Sequence, residues 1–180
     1  MSAITRRLEI FSLMIDRIPQ QEIGPDELNG YFLSHLNRIY CAKNQLVDKL
    51  PELTRQSHFL DLKQAIDETI DMVQNQISRM KAIFILMDAW YSYEACTGLI
   101  GLLDEAFQSI GPQAGKPALR DLSILFYMHN IESIEMASFK ILMLVADKIG
   151  NAEVVQLLRE CYDEAKEDRV LFKEITQRYL

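Results

Sequence analysis

The amino-acid sequence predicts an all-α protein built around a bundle of four long helices. The chain has 180 residues, of which 49% are hydrophobic, and a chain of this length can bury a substantial core in one domain. It contains only 7 Gly and 5 Pro, which is too few for a turn-rich β fold. Hydrophobic residues recur every three or four positions over long segments, as they do in amphipathic helices.

The first predicted element is an N-terminal accessory helix within residues 1–20. Pro19 ends its apolar pattern, because a proline inside a helix removes a backbone hydrogen bond. No segment of the sequence approaches the run of about 20 apolar residues that spans a bilayer, so we expect no membrane partner. The apolar stripe of this helix consists of Leu8, Phe11, Ile15 and Ile18.

The bundle itself is predicted over about 25–175. Its first long helix starts at Pro25, which is followed by acidic residues that favour a helix N-terminus. We expect Pro51 to kink or restart this helix and the chain to turn near Ser57. A second long helix follows over about 59–87.

A long connection is predicted between the two halves of the chain. Ser92 is expected to cap a short helix over 93–110. The next segment, 111–117, contains two Gly and two Pro and cannot continue a helix. The connection therefore contains a short helix followed by a loop.

The third long helix is predicted over about 118–149, because Gly150 can adopt the left-handed conformation that ends a helix. Asn151 then caps the fourth long helix, which runs toward Tyr179. Two long helices on each side of a long connection match the crossover topology of ferritin-like bundles, with an up-down cytokine-type bundle as the alternative. We expect a single domain over 1–180.

Charge and cysteine content restrict the expected partners and location. The formal net charge is −7 and the isoelectric point is near 5.0, so the chain repels phosphate backbones and we expect no nucleic-acid partner. Cys41, Cys96 and Cys161 are odd in number and form no paired motif. We interpret them as small buried residues in a reducing cytoplasm.

The acidic residues of the long helices are the candidates for chemistry. A di-iron centre in such a bundle takes one Glu from each of two helices and Glu-x-x-His from each of the other two. The sequence contains no Glu-x-x-His, which argues against a complete centre. Glu132 lies near the expected inward stripe of the third helix, whereas we interpret His129 as a satisfied polar residue, with a ligand role as the alternative. The acids of the fourth helix are interpreted chiefly as a solvated face: Asp163, Glu164, Glu167 and Asp168.

Several segments, in order over about 28–172, carry a resemblance to a known family. They are Ile39-Tyr-Cys-Ala-Lys-Asn-Gln-Leu-Val-Asp-Lys-Leu-Pro51, Leu62-Lys-Gln-Ala65 with Gln76-Ile-Ser-Arg79, Glu94-Ala-Cys-Thr-Gly-Leu-Ile100, and Ile131-Glu-Ser-Ile-Glu-Met-Ala137. Through them the chain resembles the YciE/YciF family of bacterial ferritin-like proteins. The resemblance implies a ferritin-like bundle, a di-metal centre and a poorly defined, stress-associated role.

The resemblance also implies metal-ligand positions, and this chain departs from the pattern at most of them. On the first long helix Lys43 stands where the family has a ligand Glu. On the second, Thr69 and Met72 stand in place of a His and a Glu that are three residues apart. Both helices have thus lost their expected ligands.

The third and fourth long helices keep part of the implied ligand set. The third retains Glu132 and Glu135, while Ser133 replaces the family's His, and the fourth retains Glu164. Without metal ions, carboxylates held close together repel one another and tend to take up protons. We therefore expect the Lys43 ammonium to replace the metal and to pair with Glu132 or Glu164, with a Lys43 side chain that reaches solvent as the alternative.

Three functions follow from these observations. The first is a non-catalytic, ferritin-like protein that has lost its di-metal centre, binds no cofactor and acts through its surface as a homodimer. The second is a metal-binding protein or oxidase with a reduced one-metal site for iron or manganese. The third is a module that binds a protein partner through its first 18 residues. The ligands of the second would be His129, Glu132, Glu135 and Glu164.

Overall fold

A computed structural model describes residues 4–5, 23–93, 97–113 and 115–180, with the backbone alone over 97–99. The predicted accessory helix lies outside the described residues, apart from the helical pair Ile4 and Thr5. All regular structure in the described part is helical. The α-helices are α1 (Pro25–Gln56), α2 (Leu60–Leu86), α3 (Thr97–Ile110), α4 (Pro117–Ile149) and α5 (Ala152–Tyr179), and a 3-10 turn follows α3 at Gly111–Gln113.

Helix α1 begins and continues largely as its sequence indicates. The Glu27 carboxylate accepts a hydrogen bond of 3.0 Å from the Gly24 backbone N–H and so closes the N-terminus. The predicted restart at Pro51 is wrong, because α1 continues through it to Gln56. Leu50 and Leu53 on either side are buried in the core, and this burial outweighs the loss of one backbone hydrogen bond.

The turn between α1 and α2 is fixed by a residue of α4. Asp121 is fully buried, and its Oδ2 accepts hydrogen bonds of 2.6 Å from the backbone N–H groups of both His58 and Phe59. These N–H groups precede the first turn of α2, where backbone donors need partners. The start of α4 therefore lies beside the α1–α2 turn.

The turn between α4 and α5 follows the sequence prediction. Gly150 has a φ angle of 84°, the left-handed conformation that favours glycine at a helix end. The Asn151 side chain accepts a hydrogen bond of 3.1 Å from the Val154 backbone N–H, which caps α5. The chain reverses within two residues, so α4 and α5 are antiparallel neighbours.

The helices pack around the core in the cyclic order α1, α2, α5, α4. Because α4 starts beside the α1–α2 turn, the chain returns along the length of the bundle between the end of α2 and the start of α4. This connection is the predicted long crossover, and it contains the short helix α3, which packs against α1 and α4. The expected start of this short helix is wrong, since Tyr93 is not helical.

Candidate functional site

A layer of polar side chains crosses the apolar core midway along the bundle. Each long helix places at least one of them on its inward stripe, where neighbouring positions carry core residues such as Leu46, Val73, Phe139 and Phe172. All members are buried: Lys43 from α1, Thr69 and Gln76 from α2, Glu132 and Glu135 from α4, and Asp168 from α5. Burial of a polar group costs free energy unless the group forms a hydrogen bond, so the hydrogen-bond partners of these side chains define the site.

The Lys43 ammonium and the Glu135 carboxylate form an ion pair at the centre of this layer. Lys43 is only 1% exposed. Burial alone lowers the pKa of a lysine, but the carboxylates of Glu135 and Glu132 outweigh it and raise the pKa of Lys43 above its ordinary value. The ammonium therefore stays charged at neutral pH.

Glu132 lies beside this ion pair as a second buried carboxyl group. Burial raises its pKa well above the ordinary value for Glu, and the neighbouring Glu135 carboxylate raises it further, while Lys43 offsets only part of the effect. Within the described residues its Oε1 atom is buried without a hydrogen-bond partner. Glu132 thus takes up a proton far more readily than an exposed Glu.

Asp168 completes the layer from α5. The Thr69 hydroxyl oxygen lies 2.9 Å from Asp168 Oδ2 and 2.9 Å from the Ala65 carbonyl oxygen, and its single proton can be donated to only one of them. Burial raises the pKa of Asp168 to about 6. Three acids therefore share one buried cation, and the excess negative charge favours protonation of Glu132 and Asp168.

A small cavity reaches the ion pair from the side that α3 covers. It is lined by apolar residues of α1, α3 and α4, including Leu46, Leu102 and Ile131, and by Glu135. Its volume is about 20 Å³, enough for about one water molecule. Ligand pockets in proteins are much larger, on the order of 300 Å³ or more.

The predicted pairing of Lys43 with Glu132 or Glu164 needs correction, because its partner is Glu135. Glu164 instead forms an ion pair of 2.8 Å with Arg79 of α2, which also binds Glu160 at 2.9 Å. The position of Glu164 around the axis of α5 explains why it does not reach Lys43. The buried stripe of α5 runs through Cys161, Ala165 and Asp168 in steps of four and three, and Glu164 lies one position off this stripe.

His129 and Met72 also lie apart from the polar layer. His129 lines a groove between α4 and α5 together with Lys173, and burial and the Arg169 guanidinium lower its pKa. Met72 is only half-buried. The described residues contain no group of three His, Cys, Asp or Glu side chains arranged to hold a metal ion, so the four ligands expected for a one-metal site are not brought together.

The chain matches the family described as a domain of unknown function, DUF892, over residues 27–179. It belongs to this family. The curated protein YciF of Escherichia coli strain K12 is 26% identical over 140 residues, which cover 77% of this chain and 84% of that protein. The family assignment confirms the resemblance seen in the sequence.

Solved structures of similar proteins confirm the all-α fold. The E. coli stress protein YciF has a TM-score of 0.79 at 23% identity, over 84% of this chain and 96% of that one. YcfI from Rhodopseudomonas palustris has a TM-score of 0.77 at 24% identity, over 87% of this chain and 97% of that one. Within the described part of this family member, no helix is long and apolar enough to cross a membrane.

The cysteines differ from their interpretation as three reduced residues. Cys41 is disulfide-bonded, whereas Cys161 is a free thiol whose pKa burial raises to about 12. Cys96 lies outside the described residues. A thiol with so high a pKa is a poor nucleophile near neutral pH, so Cys161 acts as a core residue.

Proposed function

We propose that this family member is a non-catalytic, ferritin-like bundle without a di-metal centre, in which the Lys43 ammonium supplies the positive charge that metal ions would supply. The observation that carries the proposal is the buried ion pair between Lys43 and Glu135. An ammonium in the middle of the polar layer repels a divalent cation and already binds the carboxylate that such a cation would need. No cofactor is then required.

The side chains around the pair support the same proposal. Thr69 offers a neutral hydroxyl and lies beside Asp168, where a ferritin-like centre uses imidazole and carboxylate ligands. Glu132 resists ionisation, and a protonated carboxyl is a poor metal ligand. These donors do not fit a di-metal centre.

The size of the cavity beside Glu135 favours a non-catalytic role. A volume of about 20 Å³ cannot hold an organic substrate next to the ion pair. The polar layer then has a structural role, in that it sets the register of the four long helices, and the protein interacts with other molecules through its surface.

We also propose a stress-related role, which the similarity to the E. coli stress protein YciF supports. Growth of a deletion strain under salt, heat and oxidant stress tests this role, and growth equal to that of the parent strain would contradict it.

A cytoplasmic location is the remaining part of the proposal. The sequence argument for it was the expectation of reduced cysteines, which the disulfide at Cys41 contradicts. Fractionation of cells that express the protein tests it, and recovery in a periplasmic or extracellular fraction would contradict it.

Metal-dependent thermal melts test the proposal about the site. The melting temperature of the wild-type protein should not change with Mn(II) or Fe(II), since a ligand that binds only the folded state must raise it. The matched variant Lys43→Glu restores a carboxylate, and we expect Mn(II) to raise its melting temperature by at least about 3 °C. Stoichiometric iron or manganese in the purified wild-type protein, or a rise in its melting temperature with either ion, would overturn the proposal.

A further inference from the structure

A groove runs along the surface between the antiparallel helices α4 and α5. One part of it is lined by Ser133 and Arg169 among other residues and has a volume of about 290 Å³. A second part is lined by His129 and Lys173 among others and has a volume of about 460 Å³. The two parts adjoin, because these residues are about one helical turn apart on each helix. The second part alone has the volume of a small-molecule site, and the two together are called the α4–α5 groove.

The α4–α5 groove is cationic on a protein that is acidic as a whole. The chain has a formal net charge of −7, yet no Asp or Glu lines either part of the groove. Its lining includes three exposed cationic side chains, Lys140, Arg169 and Lys173. None of the three forms an ion pair with a carboxylate in the part of the chain that the structure describes. A concave surface with charges of one sign concentrates ions of the other, so this groove favours an anion.

Hydrogen bonds hold Arg169 at the centre of the groove. Its Nε–H group donates a hydrogen bond of 2.9 Å to the Ser133 hydroxyl, which in turn donates one of 2.7 Å to the His129 backbone carbonyl. The remaining N–H groups of the guanidinium are left for an anion. Burial and the positive charges of Arg169 and Lys173 lower the pKa of the His129 imidazole, so both cations act on the same part of the groove.

An apolar surface adjoins these cations. Leu122, Leu125 and Phe126 of α4 line the second part of the groove. Leu125 is fully buried, whereas Phe126 is 63% exposed. A ligand site of this kind has mainly apolar walls and a few polar groups that fix the orientation of the ligand. The arrangement suits a molecule with one anionic group and an apolar tail, while an acidic peptide would bring further charges onto the apolar surface at a cost in hydration.

We propose that the α4–α5 groove binds a free long-chain carboxylate, such as a fatty-acid anion. Arg169 and Lys173 bind the carboxylate group, and the planar guanidinium can contact both of its oxygens. The acyl chain lies along Leu122, Leu125 and Phe126. The site shares no residue with the buried polar layer, so it goes beyond the proposed function and does not depend on whether that layer binds metal.

Isothermal titration calorimetry of the full chain with dodecanoate tests this site, at concentrations below those at which dodecanoate forms micelles. We expect one dodecanoate to bind per chain with a Kd of about 100 µM or lower. Acetate carries the same anionic group without the tail, and dodecyltrimethylammonium carries the same tail on a cationic group. Neither should bind in this concentration range, because each lacks one of the two features that the groove recognises.

Matched variants test the residues involved. Arg169→Gln should weaken the binding of dodecanoate at least about 10-fold, because the bidentate contact is lost. Arg159→Gln is the control, since Arg159 is an exposed cation of α5 outside the lining of the groove, and its Kd should equal that of the wild type. Phe126→Ser should also weaken binding about 10-fold through the loss of apolar contact. Circular-dichroism melts establish that each variant is folded, and Lys173→Gln, at an exposed position, replaces Arg169→Gln if the latter does not fold.

Three results would overturn the proposal. One is a Kd for dodecanoate above about 100 µM, or the binding of many molecules per chain. Another is equal binding by Arg169→Gln and Arg159→Gln, or binding of dodecyltrimethylammonium as tight as that of dodecanoate. The third is cosedimentation with phosphatidylglycerol vesicles that requires Arg169 while free dodecanoate does not bind, which would show that the groove contacts a membrane surface instead.

Discussion

At the residue scale, the buried lysine explains how an acidic core can remain folded. Glu132, Glu135 and Asp168 lie in one polar layer, and their mutual repulsion is offset by the ammonium of Lys43 and by protonation. Burial of an ion pair costs free energy that the attraction between the charges only partly returns. Removal of one partner costs more, because the other charge is left buried and unpaired.

Replacement of Lys43 by Met should therefore destabilise the protein by about 3 kcal/mol at pH 7. Urea unfolding measures this loss, which should be smaller at pH 5, where the acids are more readily protonated. The control is Lys49→Met, which removes a partly exposed ion pair with Asp104 and should cost about 1 kcal/mol or less. Equal losses in the two variants would contradict the burial of Lys43.

The site was only partly predictable from the sequence. The resemblance pointed to Lys43, Thr69, Glu132 and Glu135, all of which lie in the polar layer, but it also pointed to Met72 and Glu164, which lie outside it. Asp168 was missed, although a signal was present: it continues the buried stripe of Val154, Leu158, Cys161, Ala165 and Phe172 in steps of three and four. The spacing of buried residues along α5 indicated Asp168, whereas the family's motif indicated Glu164. The ion-pair partner itself depends on side-chain rotamers, which the sequence does not specify.

At the element scale, one side chain ties three helices together. Asp121 of α4 accepts hydrogen bonds from the backbone N–H groups of His58 and Phe59, between α1 and α2. This carboxylate acts as a helix cap supplied from a distant part of the chain. Local capping patterns in the sequence do not reveal it, because the residue and its partners are separated by about 60 positions.

Replacement of Asp121 by Ala should destabilise the protein by about 2 to 3 kcal/mol, because two buried N–H groups lose their acceptor. Chemical denaturation gives this value, and hydrogen exchange at His58 and Phe59 should accelerate. The comparison variant is Asn151→Ala, which removes a local cap with one hydrogen bond and should cost about 1 kcal/mol. If Asp121→Ala costs no more than Asn151→Ala, the distant cap is unimportant.

The helices were more predictable than their contacts. Gly150 and Asn151 placed the α4–α5 turn, because left-handed backbone and side-chain capping have local sequence signals. Pro51 misled the prediction of a restart, since tertiary burial of Leu50 and Leu53 outweighs a local helix-breaking effect. Ser92 misled the prediction of where α3 begins, because a capping residue alone does not determine the start of a helix and Tyr93 is not helical.

At the scale of the whole molecule, the polar layer sets the dependence of stability on pH. Burial raises the pKa of Asp168 from 3.8 to about 6, and burial also raises the pKa of Glu132. When a folded-state pKa lies above the unfolded value, the associated stability is fully present below the unfolded pKa and is lost as the pH rises through the folded one. The raised pKa of Asp168 alone corresponds to a loss of about 3 kcal/mol of stability as the pH rises.

Replacement of Asp168 by Asn should remove this loss of stability at high pH, because Asn stays neutral at every pH and its amide can hydrogen-bond to the Thr69 hydroxyl. The free energy of unfolding of the variant, relative to wild type, should rise by about 3 kcal/mol between pH 4 and pH 8. Urea melts at pH 4, 6 and 8 measure the trend. Asp163→Asn, at an exposed position of α5, should parallel the wild type, and a parallel curve for Asp168→Asn too would contradict the raised pKa.

Anomalous diffraction from crystals grown with Mn(II) tests the central claim most directly, namely that the Lys43 ammonium takes the place of metal in the polar layer. We expect no anomalous peak within about 5 Å of the Glu132 and Glu135 carboxylates, since a bound ion would lie within about 2.5 Å of its oxygen ligands. The electron density should instead place Lys43 Nζ within hydrogen-bond distance of the Glu135 carboxylate. A manganese peak coordinated by Glu132 or Glu135, with the Lys43 side chain displaced, would contradict the account.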